Sequence, residues 1–209
     1  MVENYAREAM FMLEEGALPH EIDAACVDFG FAMGPCAMSD LAGLDIGHAV
    51  RLEAGLVDPA TRPAATGRYG GAIADALVER GRCGQKTKKG FYDYSNGRAP
   101  ERDPEVERLI VEQSHALGIA RRAVGAEEII ERCVYSLVNE GYKILDDGIA
   151  DAPGDIDVVY FYGYGMRARQ PMAYAKAVGE DVVAAKIRGF AEKMPDVPHW
   201  ELAKGLGGV

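Results

Sequence analysis

The sequence has few cysteines and no long apolar run. No apolar stretch approaches the roughly 20 residues that a membrane-spanning helix needs, and the first ten residues lack the charged and apolar segments of a secretory signal. The four cysteines form no Cys-x-x-Cys pair of the kind that binds zinc or catalyses thiol exchange: Cys26, Cys36, Cys83 and Cys133. These absences predict a reduced, cytoplasmic protein with buried thiols.

Positive charge is also scarce. The 209 residues include 23 Lys and Arg against 33 Asp and Glu, which gives a net charge of −10. This balance argues against nucleic acid or an anionic membrane as the main partner. Hydrophobic residues make up 48% and charged residues 27%, as in soluble proteins that bury a sizeable core.

Common catalytic motifs are missing as well. There is no GxSxG, HExxH or Walker loop, and no histidine has a metal-ligand neighbour at the usual spacing. The segment from Gly163 to Ala168 fits a dinucleotide fingerprint, but no βαβ unit follows it and Gln170-Pro171 interrupts the required helix. The sequence therefore predicts neither a metal site nor a bound cofactor in this chain.

What the sequence does contain is helical spacing of apolar residues along its whole length. This spacing predicts an all-α fold, in which the helix between Gly125 and Gly148 is central. One further predicted helix ends at Gly16 and another begins at Pro104. The remaining predicted helices cover 20–28, 44–56, 69–79, 155–161, 171–178 and 181–194. The remaining segments are expected to be a buried connection (29–39), a loop or short hairpin (81–95), a linker (96–104) and a frayed tail after Pro198.

Two parts of the sequence resemble each other. EAMFMLEEG (8–16) pairs with EGYKILDDG (140–148), and glycines and prolines then match in the same order over about 36 residues. Two amphipathic helices can look alike by chance, but Gly and Pro mark specific backbone constraints. The match predicts two tandem helical repeats related by pseudo-twofold symmetry, joined by a linker and connecting helix: 1–95, 96–125 and 126–209.

Two segments stand out as candidate binding elements. Residues 31–35 (FAMGP) form either a tight apolar turn or a wall for an apolar ligand or partner domain. Residues 84–92 (GQKTKKGFY) form either a solvated basic loop or a site that attracts phosphates through its three lysines.

These two segments also carry a resemblance. LEEGALPHEIDAACVDFGFAMGPCAMSDLAGLDIG (13–47) and GQKTKKGFYDY (84–94) resemble the C-terminal domain of L-3-hydroxyacyl-CoA dehydrogenases. Residues 127–165 are similar to the second C-terminal copy in multifunctional, peroxisomal-type fatty acid β-oxidation proteins. The resemblance implies a fold like the C-terminal domain of 6-phosphogluconate dehydrogenase and a role in oxidising L-3-hydroxyacyl-CoA to 3-ketoacyl-CoA.

The resemblance also implies where the chemistry lies. NAD would be bound by an N-terminal Rossmann domain, in cis or in trans, and the catalytic His, Glu and Asn would lie outside this chain. The implied partners are acyl-CoA, that Rossmann domain and a second copy of the chain in a homodimer. The residues that match the family's substrate-binding segments are Phe31, Met33, Gly34, Pro35, Lys86 and Thr87.

The chain departs from the family pattern at two positions. Lys88 and Gln170 stand where the family has glycine. The alternative function is a non-catalytic helical scaffold, or a module for acyl-CoA binding or dimerisation.

Overall fold

The computed structural model describes residue 1, residues 3–63 and residues 67–207, and its regular secondary structure in these ranges is helical. The helices are α1 (Glu3–Glu15), α2 (Pro19–Phe29), α3 (Pro35–Ala42), α4 (Leu44–Glu53), α5 (Ala72–Glu79), α6 (Pro104–Ala116), α7 (Ala126–Asp146), α8 (Pro153–Gly163), α9 (Pro171–Val178), α10 (Glu180–Lys193) and two 3-10 helices, Gln85–Thr87 and Pro198–Trp200. The predicted all-α fold is confirmed.

Helix α7 is the centre of the fold, as its long apolar stripe predicts. It packs against α1, α2, α8, α9 and α10. Cys133, Val134, Leu137 and Val138 on α7 are fully buried. At Gly141 an added Cβ would lie 2.6 Å from the sulfur of Met172, so glycine allows α7 and α9 to approach closely.

Two predicted segments differ from the structure. The buried connection expected at 29–39 contains the start of α3, because Pro35 occupies the first helical turn, where proline is tolerated. The tail after Pro198 is packed rather than frayed: Trp200 is fully buried, and its indole N–H donates to the Glu8 carboxylate over 3.0 Å. The local sequence pattern could not show this contact, because Glu8 and Trp200 are 192 residues apart in the chain.

Charged groups fill the junction of α1, α7 and the C-terminal segment. The Glu8 carboxylate is fully buried and accepts a hydrogen bond of 2.6 Å from Arg132 Nε. His199 Nε2 lies 2.7 Å from the other Glu8 oxygen. Arg132 Nη1 also donates to Glu15 over 2.5 Å. Because buried charges are costly unless paired, this network fixes how the first and last parts of the chain meet.

The chain's two halves share several local features. Helices α2 and α8 each have 11 residues and begin at a proline, and α3 and α9 each have 8 and also begin at a proline. The glycine after each short helix has nearly the same backbone conformation, φ 104° and ψ 116° at Gly43 and φ 107° and ψ 117° at Gly179. One matched pair differs, because Gly30 has a positive φ and Gly163 does not.

Candidate functional site

A buried aspartate on α2 holds the start of α3. Asp23 Oδ1 accepts from the backbone N–H of Cys36 over 2.8 Å, and Oδ2 accepts from Ala37 N–H over 2.9 Å. Two of the orphan N–H groups at the helix N-terminus are thus satisfied by a side chain from another helix. An added Cβ at Gly34 would collide with this carboxylate, so the glycine is required by the close approach of α2.

A second buried aspartate, on α3, holds the segment 84–94, which we call the strap. Asp40 accepts from the N–H groups of Phe91 and Tyr92 over 2.9 and 3.0 Å and from the Tyr94 hydroxyl over 3.1 Å. The Tyr92 hydroxyl donates to Asp23 over 2.8 Å. The two aspartates therefore tie the strap to both α2 and α3.

Burial dominates the electrostatics of these carboxylates. It raises the pKa of Asp40 to about 6, against the opposing effect of the three hydrogen bonds. Burial also raises the pKa of Asp23, and it raises the pKa of Tyr92 through loss of solvent. The tyrosine hydroxyls are therefore donors at neutral pH, and the arrangement functions as a clamp on backbone N–H groups.

The strap backbone depends on three positions. Gly84 has φ +98°, and an added Cβ at Gly84 or Gly90 would collide with Asp40. Lys88 has φ +60° and ψ 5°, the left-handed conformation, and is alone among the described non-glycine residues in having a positive φ. This backbone conformation favours glycine, the residue that the resemblance predicted at this position.

Four of the residues predicted to contact substrate lie at the entry to α3. Phe31, Gly34 and Pro35 are buried by neighbouring protein groups. The ring of Phe31 lies 5.4 Å from that of Tyr5 and belongs to the core. Met33 is partly exposed, so it is the one of the four whose side chain reaches the surface.

The other two predicted residues lie on the strap. Lys86 is exposed, and its Nζ is 2.5 Å from Asp45 Oδ1. The Thr87 hydroxyl oxygen accepts from Cys83 N–H over 2.9 Å, so it supports the turn of the strap. The structure brings the two segments together through Asp23 and Asp40, neither of which was among the predicted site residues. A substrate-binding role for the six residues stays a prediction.

A cavity of about 500 Å3 lies between α1, α3, α4, α5 and residues 68–71, and none of the six predicted residues lines it. Its wall is mainly apolar and includes Ile46 and Val50, which are 59% and 63% exposed. The large apolar side chains exposed on one face of α4 give this side of the protein an apolar surface patch. In the sequence, the sign of this apolar surface was a pair of large apolar residues at positions 46 and 50, four residues apart on a predicted helix.

Below this cavity a buried aspartate organises polar side chains from three segments. Asp75 accepts from Arg51 Nε over 3.1 Å and from the Tyr69 hydroxyl, and His48 Nδ1 lies 2.9 Å from its Oδ1. Burial alone would raise the pKa of Asp75, but the hydrogen bonds from these partners outweigh it and lower the pKa. Asp75 therefore stays ionised and fixes Arg51 and Tyr69 in the cavity wall.

A second cavity, of about 630 Å3, lies between α1, α7 and α10 and is lined by charged residues. Its arginines are already paired with carboxylates: Arg68 with Glu15 and Glu14, and Arg122 with Glu15 and Glu128. This cavity is a continuation of the ion network around Arg132.

The described residues form neither a set of metal ligands nor a dinucleotide-binding loop. Among the described residues, no cluster of three or more His, Cys, Asp or Glu side chains could hold a metal ion. The stretch at Gly163–Ala168 follows helix α8 rather than a strand, so it does not have the context that a dinucleotide-binding loop needs. None of the helices that the structure describes is long and apolar enough to cross a membrane.

The family model of the 3-hydroxyacyl-CoA dehydrogenase C-terminal domain matches residues 1–94 and 129–205. The chain belongs to this family. It is 45% identical over 210 residues to the peroxisomal bifunctional enzyme of Danio rerio and 42% identical to that of Homo sapiens. Each alignment covers 96% of this chain and 29% of the relative, so the chain spans less than a third of these proteins.

A solved structure agrees with the sequence relatives. The dehydrogenase part of multifunctional enzyme 1 from C. elegans has a TM-score of 0.69 and 26% identity, covering 94% of this chain and 43% of that one. The predicted resemblance to multifunctional β-oxidation proteins is confirmed.

The predicted cytoplasmic location is wrong: the relatives at 42–45% identity are peroxisomal enzymes, and the composition that suggested a cytoplasmic protein does not distinguish the two compartments.

Proposed function

We propose that this chain is the helical, substrate-side part of an NAD-dependent 3-hydroxyacyl-CoA dehydrogenase of fatty acid β-oxidation. The observation that carries the proposal is the family match over both halves of the chain. The complete reaction is the oxidation of L-3-hydroxyacyl-CoA to 3-ketoacyl-CoA, in which NAD accepts a hydride on a separate nucleotide-binding domain. This chain contributes the helical body against which that domain closes.

Within that enzyme, the proposed substrate contacts are the six residues at the α3 entry and on the strap. Met33 and Lys86 are the proposed direct contacts, because their side chains reach the surface and, unlike the exposed Thr87, are not engaged in hydrogen bonds of the strap. Phe31, Gly34, Pro35 and Thr87 would support them by holding the backbone. Lys86 would offer its charge to an acyl-CoA phosphate by exchanging partners from Asp45.

We also propose that residues 1–95 and 126–209 are two copies of one helical unit, arranged with pseudo-twofold symmetry. Residues 2, 64–66, 208 and 209 of these ranges lie outside the described part. The strongest support is the pair Asp23 and Asp157. Asp157 accepts from Met172 N–H and Ala173 N–H over 2.9 and 2.8 Å, the same pattern that Asp23 makes at α3. The family model skips residues 95–128, where the linker and connecting helix were predicted.

The function is tested by joining or mixing the chain with an NAD-binding domain of the same family. We expect NADH-linked reduction of acetoacetyl-CoA by the combination and no turnover by the chain alone. Turnover by the isolated chain would overturn the proposal. If the combination binds but has no activity, the non-catalytic scaffold becomes the better interpretation.

A matched pair of strap variants tests the site. Lys86→Gln is expected to raise the KM for acyl-CoA several-fold without changing kcat, because it removes a charge made available to ground state and transition state alike. Lys89→Gln, also exposed on the strap, is the control. Equal effects of the two variants would remove Lys86 from the site.

A further inference from the structure

Helix α8 carries large apolar side chains on the side that faces solvent. Ile156 and Tyr160 are buried in the core, while Val158, Val159 and Tyr162 are 55%, 43% and 80% exposed. In a helix with 3.6 residues per turn, the three exposed side chains fall within an arc of about 100° on the side away from the buried pair. We call these three residues the α8 face.

The corresponding side of α2 has a different composition. Asp23 on α2 and Asp157 on α8 each accept from two backbone N–H groups at the start of the next helix, so these two positions correspond. Counted from them, the positions of Val158 and Tyr162 hold an alanine and an aspartate on α2, both exposed. Such residues are ordinary on a solvated face. A helix of this type therefore does not require the apolar residues of the α8 face, whereas a contact surface does.

Exposed charges flank the α8 face, acids at one end and bases at the other. Asp151 and Asp155 lie at the N-terminal end of α8, and Arg167 and Arg169 follow its C-terminal end. None of the four forms an ion pair with another described residue. If two such helices pack antiparallel, the acidic end of each lies beside the basic end of the other, and opposite charges meet twice.

We propose that a second copy of the chain covers the α8 face, with the two α8 helices antiparallel about a twofold axis. Such a contact uses the same patch on both copies, so the patch has to be complementary to itself. The α8 face meets this requirement, because its apolar residues meet in the middle and its two ends have opposite charge. The proposal does not rest on the proposed function, and its test measures association rather than turnover.

The shape of the surface also favours a protein partner. Small molecules bind in concave pockets, and the α8 face lines neither of the two cavities described above. The net charge of −10 on each copy opposes association, but about 0.15 M salt screens charges that are more than about 8 Å apart. One 11-residue helix with its flanking residues makes a small interface, so a weak dimer with a Kd of about 10–100 µM is expected.

The test is analytical ultracentrifugation of the 209-residue chain from about 1 to about 300 µM, at about 0.15 M salt. We expect a monomer at the lowest concentration and mainly a dimer at the highest. A monomer throughout this range overturns the proposal.

Variants on α8 and α4 provide a matched comparison, because α4 also carries exposed apolar residues. Val158→Asp is expected to raise the Kd of the dimer at least about tenfold, since Val158 lies near the middle of the face and the new carboxylates of the two copies would meet. Val50→Asp on α4, 63% exposed, should leave the Kd within about twofold of wild type. Circular dichroism checks that both variants fold. The proposal is overturned if Val158→Asp leaves the Kd unchanged, or if Val50→Asp raises it as much.

Charge reversal tests the antiparallel order. Asp151→Arg and Arg167→Asp are each expected to weaken self-association several-fold, because each variant places like charges opposite one another twice. An equimolar mixture of the two should associate about as tightly as wild type, since every arginine at these positions then lies opposite an aspartate. A mixture that associates no more tightly than the separate variants overturns the proposed arrangement.

Discussion

Replacing Lys88 with glycine should stabilise the protein. Lys88 has φ +60°, a conformation that costs an L-residue about 1–2 kcal/mol relative to the right-handed region. Glycine has no such cost, but it loses more backbone freedom on folding, by about 0.5–1 kcal/mol. The difference leaves a gain of about 0.5–1 kcal/mol in the free energy of unfolding. The Lys88 side chain is exposed and forms no ion pair within the described residues, so little is lost with it.

The assay is urea denaturation followed by circular dichroism, with thermal unfolding as a second measurement. We expect a higher urea midpoint with an unchanged slope, and a midpoint temperature higher by about 1–4 °C for a chain of this size. Lys89→Gly is the control, because Lys89 is also exposed on the strap and its φ is not positive. It should destabilise by about 0.5–1 kcal/mol. A loss of stability in Lys88→Gly equal to that in the control would refute the argument.

Three further predictions concern buried carboxylates and glycines. Gly90→Ala forces a methyl group onto the Asp40 carboxylate and is expected to cost about 2 kcal/mol or more, whereas Gly189→Ala, in open space within α10, should stabilise by up to about 1 kcal/mol. Because the pKa of Asp40 is raised to about 6, the folded state holds a proton more tightly than the unfolded chain. Wild type should therefore gain about 1 kcal/mol of stability relative to Asp40→Asn as the pH falls from about 7 to about 5. Glu8→Ala leaves Arg132 Nε and the Trp200 indole N–H without their buried acceptor and should cost about 3 kcal/mol, against less than about 1 kcal/mol for Glu3→Ala on the surface.

The free energy of unfolding, measured by urea denaturation, tests each of these three predictions. Equal stability of Gly90→Ala and Gly189→Ala would mean that the strap moves away from Asp40 without lowering the free energy of unfolding. A stability difference between wild type and Asp40→Asn that is constant over this pH range would show that Asp40 does not titrate there. A loss in Glu8→Ala as small as that in Glu3→Ala would indicate that water reaches the buried network.

The helices were predictable because each has a local cause. Apolar spacing identified α7, and Pro104 with the capping Asp103, whose side chain accepts from Glu105 N–H over 2.9 Å, identified the start of α6. Helix α3 was missed because Gly34-Pro35 was interpreted as a break, although proline also begins helices. The local pattern alone does not distinguish the two.

The clamp and the cavity were not predictable for a different reason. Aspartates on amphipathic helices are usually solvated, and nothing near Asp23 or Asp40 in the sequence shows that each accepts hydrogen bonds from distant segments. Asp75 likewise meets Arg51 across 24 residues. Burial of a carboxylate depends on tertiary packing, which periodicity does not report.

The strap clamp changes how the family motifs should be interpreted. Asp40 in the SDL motif and Gly90 in the KKGFY motif meet each other directly, carboxylate against backbone, so these two segments are recognisable together because they build one structural contact. In the second half, Lys176 is the sixth residue of α9, as Asp40 is of α3, and a lysine cannot accept hydrogen bonds from backbone N–H groups. If the halves are copies, only the first can retain a strap. The contact between Asp40 and the strap therefore stabilises the fold. Evidence for substrate binding has to come from the exposed side chains beside this contact.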